Sequence, residues 1–369
     1  MKWSWHIGRV AGIDIAVHAT FPLLLAWIAL MALGGGATLA DALSAVMLTL
    51  AVFVTVVLHE LGHALTARHF GIRTTDITLL PIGGIARLER LPREPRQELL
   101  ITLAGPAVNV ALAAVFAAPL ALWGGLGRVP ELITSTASAT PSNFLAQLIA
   151  LNLWLAAFNL IPAFPLDGGR VLRAILAART RDYVRATLSA ARVGRAFALV
   201  FGLVGLFVVG SPVLVFIALF VWLAAAAEAA AVQTTEALVG VPLSSLMITD
   251  LQTLAPADPL ARAAQLTIAG FQQDFPVVEG GALVGMLSQR DLVRGLAEHG
   301  DEALVRSVMR EDFGSAAPDD APEDVLRKLK TLGGRALPIV RGRELLGVLT
   351  AENVMEFVML RAALRHAAS

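Results

Sequence analysis

The chain of 369 residues contains no cysteine. Disulfides and thiolate metal ligands are therefore excluded, and any metal must be held by His, Asp or Glu. Charge is also scarce, at 16% of residues against about a quarter in an ordinary soluble protein. The 29 basic and 29 acidic residues cancel, which leaves no electrostatic case for a nucleic-acid partner. What is present is apolar: 56% of residues are hydrophobic and the mean hydropathy is +0.70. That composition belongs to a chain that lives in a bilayer. No small-residue cleavage site follows the first apolar run, which reads as a retained span and not as a signal peptide.

About 20 apolar residues are needed to cross a bilayer core of about 30 Å. On that measure the runs 19–33, 42–70, 98–123, 143–162 and 196–210 and a sixth reaching 231 are candidate spans. Residues 13–17 read as a short strand at the membrane surface, and 74–86 as a β-hairpin turning at Pro81-Ile82-Gly83-Gly84. That hairpin is either an ordinary surface feature or one dipping beside a site, with an open edge able to pair with an extended peptide. Residues 124–142 form a polar, turn-rich connection. Residues 171–195 are amphipathic and rich in arginine, as expected of a surface helix running into the fifth span. With six spans, Lys2, Arg9 and the basic clusters 68–96 and 170–195 fall on one side, and the opposite loops hold little beyond Arg128. The positive-inside rule then makes both termini cytoplasmic.

The second run ends in His59-Glu60-Leu61-Gly62-His63. On a helix, positions i and i+4 share a face, so His59 and His63 can hold one metal ion, and Glu60 beside them can take a proton from a metal-bound water. The pattern also arises by chance, and a histidine at a span end can simply reach the interface. The fourth run ends in Asn159-Leu-Ile-Pro162-Ala-Phe-Pro165-Leu-Asp167-Gly-Gly-Arg170, where two prolines and two glycines forbid a regular helix. Broken backbone at membrane depth needs burial in protein or a watery cavity. Asp167 there is either a third, oxygen ligand or part of a plain Asp-Gly turn. The six-span topology puts His59, His63 and Asp167 on one side at similar depth, as a shared metal requires. Asn109, a polar residue in the third run behind Gly105-Pro106, either bonds a neighbouring helix or supports the site.

After Thr234 the composition becomes that of a soluble domain, with an internal repeat of about 60 residues. Each copy reads helix, strand, strand, helix. The first carries Gly285-Met-Leu-Ser288-Gln-Arg-Asp291, the second Gly347-Val-Leu-Thr350-Ala-Glu-Asn353.

The two membrane motifs, in this order and on spans, resemble the site-2 protease family of intramembrane zinc metalloproteases. The resemblance covers about 57–170. It implies one zinc per chain on His59, His63 and Asp167, Glu60 as general base and Asn159 as a substrate-holding residue. The hairpin edge at Gly83 and Gly84 is, on its own pattern, a candidate for capturing the substrate as an added strand. The PDZ insert of some members is absent between the motifs. The repeat resembles a tandem pair of CBS domains. There the resemblance implies an adenine nucleotide on Ser288 and Asp291, and on Thr350 in the second copy, where Asn353 replaces the expected Asp and puts that site in doubt. Ser288-x-x-Asp291 also fits a helix capping box.

The expected fold is therefore a polytopic α-helical membrane protein, with about six transmembrane helices and a small membrane-associated β-hairpin, followed by a soluble α/β tandem CBS domain. The expected domains are a metalloprotease domain at 1–235 and CBS domains at 241–300 and 301–369. The expected location is the cell (inner) membrane with the CBS pair cytoplasmic. Expected partners are single-pass transmembrane substrates, the lipid bilayer, an adenine nucleotide and a second copy of the chain through the CBS pair. Rival readings are a CBS-regulated transporter, which leaves the converging His, Glu and Asp unexplained, and a silent scaffold, which has no use for Glu60.

Overall fold

A computed structural model describes residues 3–81, 83–90, 92, 94–122, 127, 143–270, 272–331 and 336–367. The expected polar connection at 124–142, with Arg128, lies outside the described residues apart from Gly127, as does Ile82 in the hairpin turn. The chain divides into two compact units, Met1–Ala230 and Ala231–Ser369.

The first unit opens with β1 (Ser4–Val10), β2 (Ile13–His18) and α1 (Phe21–Gly34), followed by α2 (Leu39–His69), β3 (Thr74–Leu80), β4 (Gly83–Leu88) and α3 (Pro95–Leu122). Then come α4 (Phe144–Asn159), α5 (Asp167–Thr180), α6 (Tyr183–Leu203), extended by a π-helical turn Val204–Val209, and α7 (Pro212–Leu238). Helix α2 starts at a capping box: the Thr38 hydroxyl accepts from the Asp41 amide, and the Asp41 carboxylate accepts from the Thr38 amide. Four of the described helices are long and apolar enough to cross a membrane: α2, α3, α6 with its π turn, and α7. Helices α1 and α4 are equally apolar but have 14 and 16 residues, short of the usual 20 or so. Large apolar side chains such as Trp27, Met47, Phe207 and Phe216 face outward, whereas Thr55, Asn109, Gln147 and Asn152 are buried. An apolar exterior around a polar interior is how a protein fits a bilayer.

The sheet is larger than the hairpin expected from the sequence. Strands β3 and β4 pair antiparallel, β2 pairs parallel with β3, and β1 pairs antiparallel with β2, in the order β1-β2-β3-β4. Residues 4–10 carry Gly8 and Arg9 and lack a clean apolar alternation, so β1 leaves little trace in the sequence. The Ile13-Ile15-Val17 alternation of β2 buries one face of the sheet: Ile13 packs with Ile77 against Leu61 and Ala64 of α2, and Val17 with Leu79 against Phe53. The expected single surface helix over 171–195 is in fact two helices. Helix α5 ends where Arg181 takes a left-handed φ of 55°, and the Asp182 carboxylate caps α6 by accepting from the Arg185 amide at 2.9 Å. Arg185, Arg192 and Arg195 therefore lie on the membrane-length helix itself.

The second unit repeats α–β–β–α: α8 (Leu260–Ala269), β5 (Phe275–Glu279), β6 (Ala282–Leu287) and α9 (Gln289–His299), then α10 (Pro322–Thr331), β7 (Ala336–Arg341), β8 (Glu344–Thr350) and α11 (Ala351–Ala367). The strands form one antiparallel sheet in the order β5-β6-β8-β7. Each copy has its own core, one around Leu260, Phe275 and Leu287, the other around Leu337, Ile339 and Leu349.

Candidate metal centre

His59 and His63 sit one turn apart on α2 and point into the same buried space. Asp167 is the first residue of α5, where the partial positive charge of a helix N-terminus favours a carboxylate. Its Oδ2 lies 3.2 Å from the Nε2 of each histidine, and the two Nε2 atoms are 3.1 Å apart.

Hydrogen bonding fixes which atoms carry protons. The Ile101 carbonyl can only accept, so His63 donates to it from Nδ1 at 2.7 Å. The Leu148 carbonyl likewise accepts from Asn152 Nδ2 at 2.9 Å, which turns the Asn152 oxygen toward Asn109 Nδ2 at 3.0 Å. The Asn109 oxygen is then left to accept from His59 Nδ1 at 2.5 Å. Both neutral imidazoles thus present bare Nε2 lone pairs. Asp167 Oδ2 is buried and has no hydrogen-bond partner.

Three acceptors therefore face one another, each costing about 1–3 kcal/mol if left unsatisfied. A cation at their centre resolves this: zinc sites in small peptides are worth about 10–16 kcal/mol. The separations fit as well. Ligands about 2.0–2.1 Å from a tetrahedral zinc stand about 3.3 Å from one another, against the 3.1, 3.2 and 3.2 Å found here. These three are the one group among the described residues whose His, Asp or Glu donor atoms converge in this way.

Two glycines make room. A Cβ on Gly105 of α3 would fall on His63 Nε2 and within 2.6 Å of His59 Nε2, and one on Gly62 within 2.9 Å of the Ala104 carbonyl. Helices α2 and α3 therefore approach closely enough for Ile101 and Asn109 to reach the rings. Of the two roles open to Asn109, it fills both, since it bonds α4 and orients His59. Glu60 is half-buried, and no described residue hydrogen-bonds its carboxylate. Gly84 lies against it: a Cβ there would come within 2.8 Å of Glu60 Cγ, which places edge strand β4 beside the acid. Gly83 has a φ of 135°, open to glycine alone. Asn159 is the last residue of α4, half-buried, with no hydrogen bond from its side chain to a described residue.

Residues 47–201 match the model of Peptidase family M50, a range that contains all three converging ligands. Zinc metalloprotease MJ0392 of Methanocaldococcus jannaschii is 31% identical over 355 residues, which cover 96% of each chain. The chain belongs to peptidase family M50. Stage IV sporulation protein FB of Bacillus subtilis is 29% identical over 176 residues, 47% of this chain and 55% of that one. The solved Site-2 Protease from Methanocaldococcus jannaschii is 36% identical, covering 62% of this M50 chain and 95% of that one, with a TM-score of 0.45. Residues 243–298 and 305–360 each match the CBS domain.

In the CBS pair, Ser288 and Thr350 both cap helices, accepting from the amides of Asp291 at 3.2 Å and Asn353 at 3.1 Å. Asp291 is fully buried and engaged. Its carboxylate accepts from Ser288 Oγ at 2.6 Å, from Arg310 Nε at 2.8 Å and from Arg294 at 3.0 Å. Asn353 instead donates to the Leu246 carbonyl at 2.6 Å. The Ser288 hydroxyl thus caps its helix, but the Asp291 carboxylate binds that hydroxyl and Arg310 and does not close a capping box on the Ser288 amide; the motif did not point to Arg310.

Proposed function

We propose that this chain is a zinc-dependent intramembrane endopeptidase that cleaves single-pass transmembrane substrates, with His59, His63 and Asp167 as metal ligands. The observation that carries this is the convergence of three oriented acceptors from two motifs about a hundred residues apart. Zinc held there supplies a Lewis acid for the scissile carbonyl and lowers the pKa of a water to about 7. Glu60 accepts the proton of the attacking water and returns it to the leaving amine. A substrate helix must unwind to expose its carbonyl, and the free edge of β4, with Gly83 and Gly84 leading in, offers it backbone pairing beside Glu60. Asn159 holds the same segment from the end of α4. Six crossings, with α1 and α4 as short spans, place both termini and the CBS pair in the cytoplasm.

The CBS pair gates access in response to an adenine nucleotide and pairs two chains. Ribose binding by Asp291 requires Arg310 to leave its carboxylate, so nucleotide and Arg310 compete for that group.

The test is cleavage of a reporter transmembrane helix by purified protein, with and without ATP. Cleavage should stop with a chelator and return with zinc. Glu60→Gln should keep the metal and lose about 10²–10⁴-fold in rate. Chelator-resistant cleavage, or full activity in Glu60→Gln, would refute the reading, and equal rates with and without ATP would remove the gating part.

A further inference from the structure

One face of α3 serves the whole centre. Glu98, Ile101, Gly105 and Asn109 recur at spacings of three and four, so they form one stripe along the helix. Ile101 holds His63, Asn109 holds His59, and Gly105 gives both rings space. Glu98 reaches α5 instead. Arg173 donates to Glu98 Oε1 from Nε at 2.7 Å, and its Nη2 lies 2.5 Å from the same oxygen. Its Nη1 donates to Glu228 of α7 at 2.6 Å. Arg173 and Glu98 are each 1% exposed. The guanidinium also lies 5.1 Å from the ring centre of Phe164 and 5.0 Å from that of Tyr183.

Phe164 belongs to the segment that leads into Asp167, and Arg173 is on the helix that Asp167 begins. The same guanidinium thus grips the approach to the third ligand, the helix carrying it, and the face of α3 that aims the first two. An ion cluster this deep is a costly way to join helices, since apolar packing of equal volume is often as stable. Its geometry is instead specific, because Nε and Nη2 of one planar group converge on Glu98 Oε1, leaving Oε2 unpaired, while Nη1 reaches Glu228, which fixes the distance and rotation of the group.

We infer that Arg173 is a positioning residue for the metal centre: clamped by Glu98 and Glu228, it sets Asp167 at the distance and angle that the His59–His63 pair requires. This rests on the metal reading above. Outer partners of metal ligands act in this way, and their loss weakens metal binding without removing a ligand.

The test uses the purified full chain loaded with zinc and titrated with a chelating indicator, with thermal unfolding followed on the same samples. Arg173→Met and Glu98→Gln should each release zinc at about tenfold lower chelator concentration while still folded at the assay temperature. The double variant should lose no more than the worse single one, because both break one contact. Arg173→Lys keeps the charge but not the fork, and should show a smaller loss of the same kind, which serves if Arg173→Met does not fold. Wild-type zinc retention in the folded variants, with only the unfolding temperature lowered, would make the cluster a plain structural clasp and overturn the inference. Zinc missing from the wild-type chain would overturn the metal reading, and this inference with it.

Discussion

Asp291 shows that a place in a motif does not specify a residue's partners. Its place in a nucleotide-binding pattern suggests a free carboxylate, yet burial works against its charge and hydrogen bonds from Ser288 and Arg310 outweigh that, holding it below the usual carboxylate range. A group depressed in the folded state stabilises it above the unfolded value near 3.9 and loses that contribution as pH falls through the folded value. The CBS unit should therefore lose stability on acidification below about pH 4. Urea unfolding across pH checks this: Asp291→Asn should flatten the acid limb, and an unchanged limb would contradict the account. The pairing of His59 with His63 was legible in the sequence, because two ligands on one helix need particular side chains four residues apart, and the resemblance added Asp167, which the structure brings beside them. The carbonyls of Ile101 and Leu148 were not legible, since any residue supplies a carbonyl. Arg173 and Glu98, far apart in sequence, carried no signal beyond being charges near apolar runs.

Helices declared themselves through long apolar runs, so α2, α3 and α7 are close to where the sequence put them. The sheet was legible only in pieces: β2 and the β3–β4 hairpin were expected, but β1 lacks apolar alternation, and the parallel pairing of β2 with β3 joins strands more than fifty residues apart, which local pattern does not reveal. The break at Arg181 was hidden for a similar reason, as amphipathic periodicity runs on through a capped turn. The close approach of α2 and α3 is the element-scale requirement of the site, and Gly105 is where it can be tested. Gly105→Ala changes no ligand and removes no hydrogen-bonding group, yet its methyl would occupy the space of both Nε2 atoms. Zinc should be lost from this variant about as completely as from a ligand mutant, with helix content by circular dichroism near wild type. Zinc retained at wild-type affinity would show that α3 can move away, and that the packing is not what shapes the centre.

At the scale of the molecule, composition alone separated a membrane part from a soluble part, because the two solvents demand different surfaces. The order of crossings is a stronger claim, since α1 and α4 are short. The natural absence of cysteine makes it easy to test: single cysteines can be introduced without background. With six crossings, a cysteine at Gly35, between α1 and α2, should react with an impermeant reagent from outside intact cells. One at Glu298 in the CBS unit should react only after lysis. Labelling of both from the same side would mean that α1 and α2 do not form a pair of crossings.

The central claim is that two distant motifs share one metal ion. The most direct measurement is zinc per chain in purified wild-type protein, beside His59→Ala and Asp167→Ala. The account predicts close to one zinc in the wild type and a large loss in both variants. Zinc that survives Asp167→Ala undiminished, or is absent from the wild type, would contradict it.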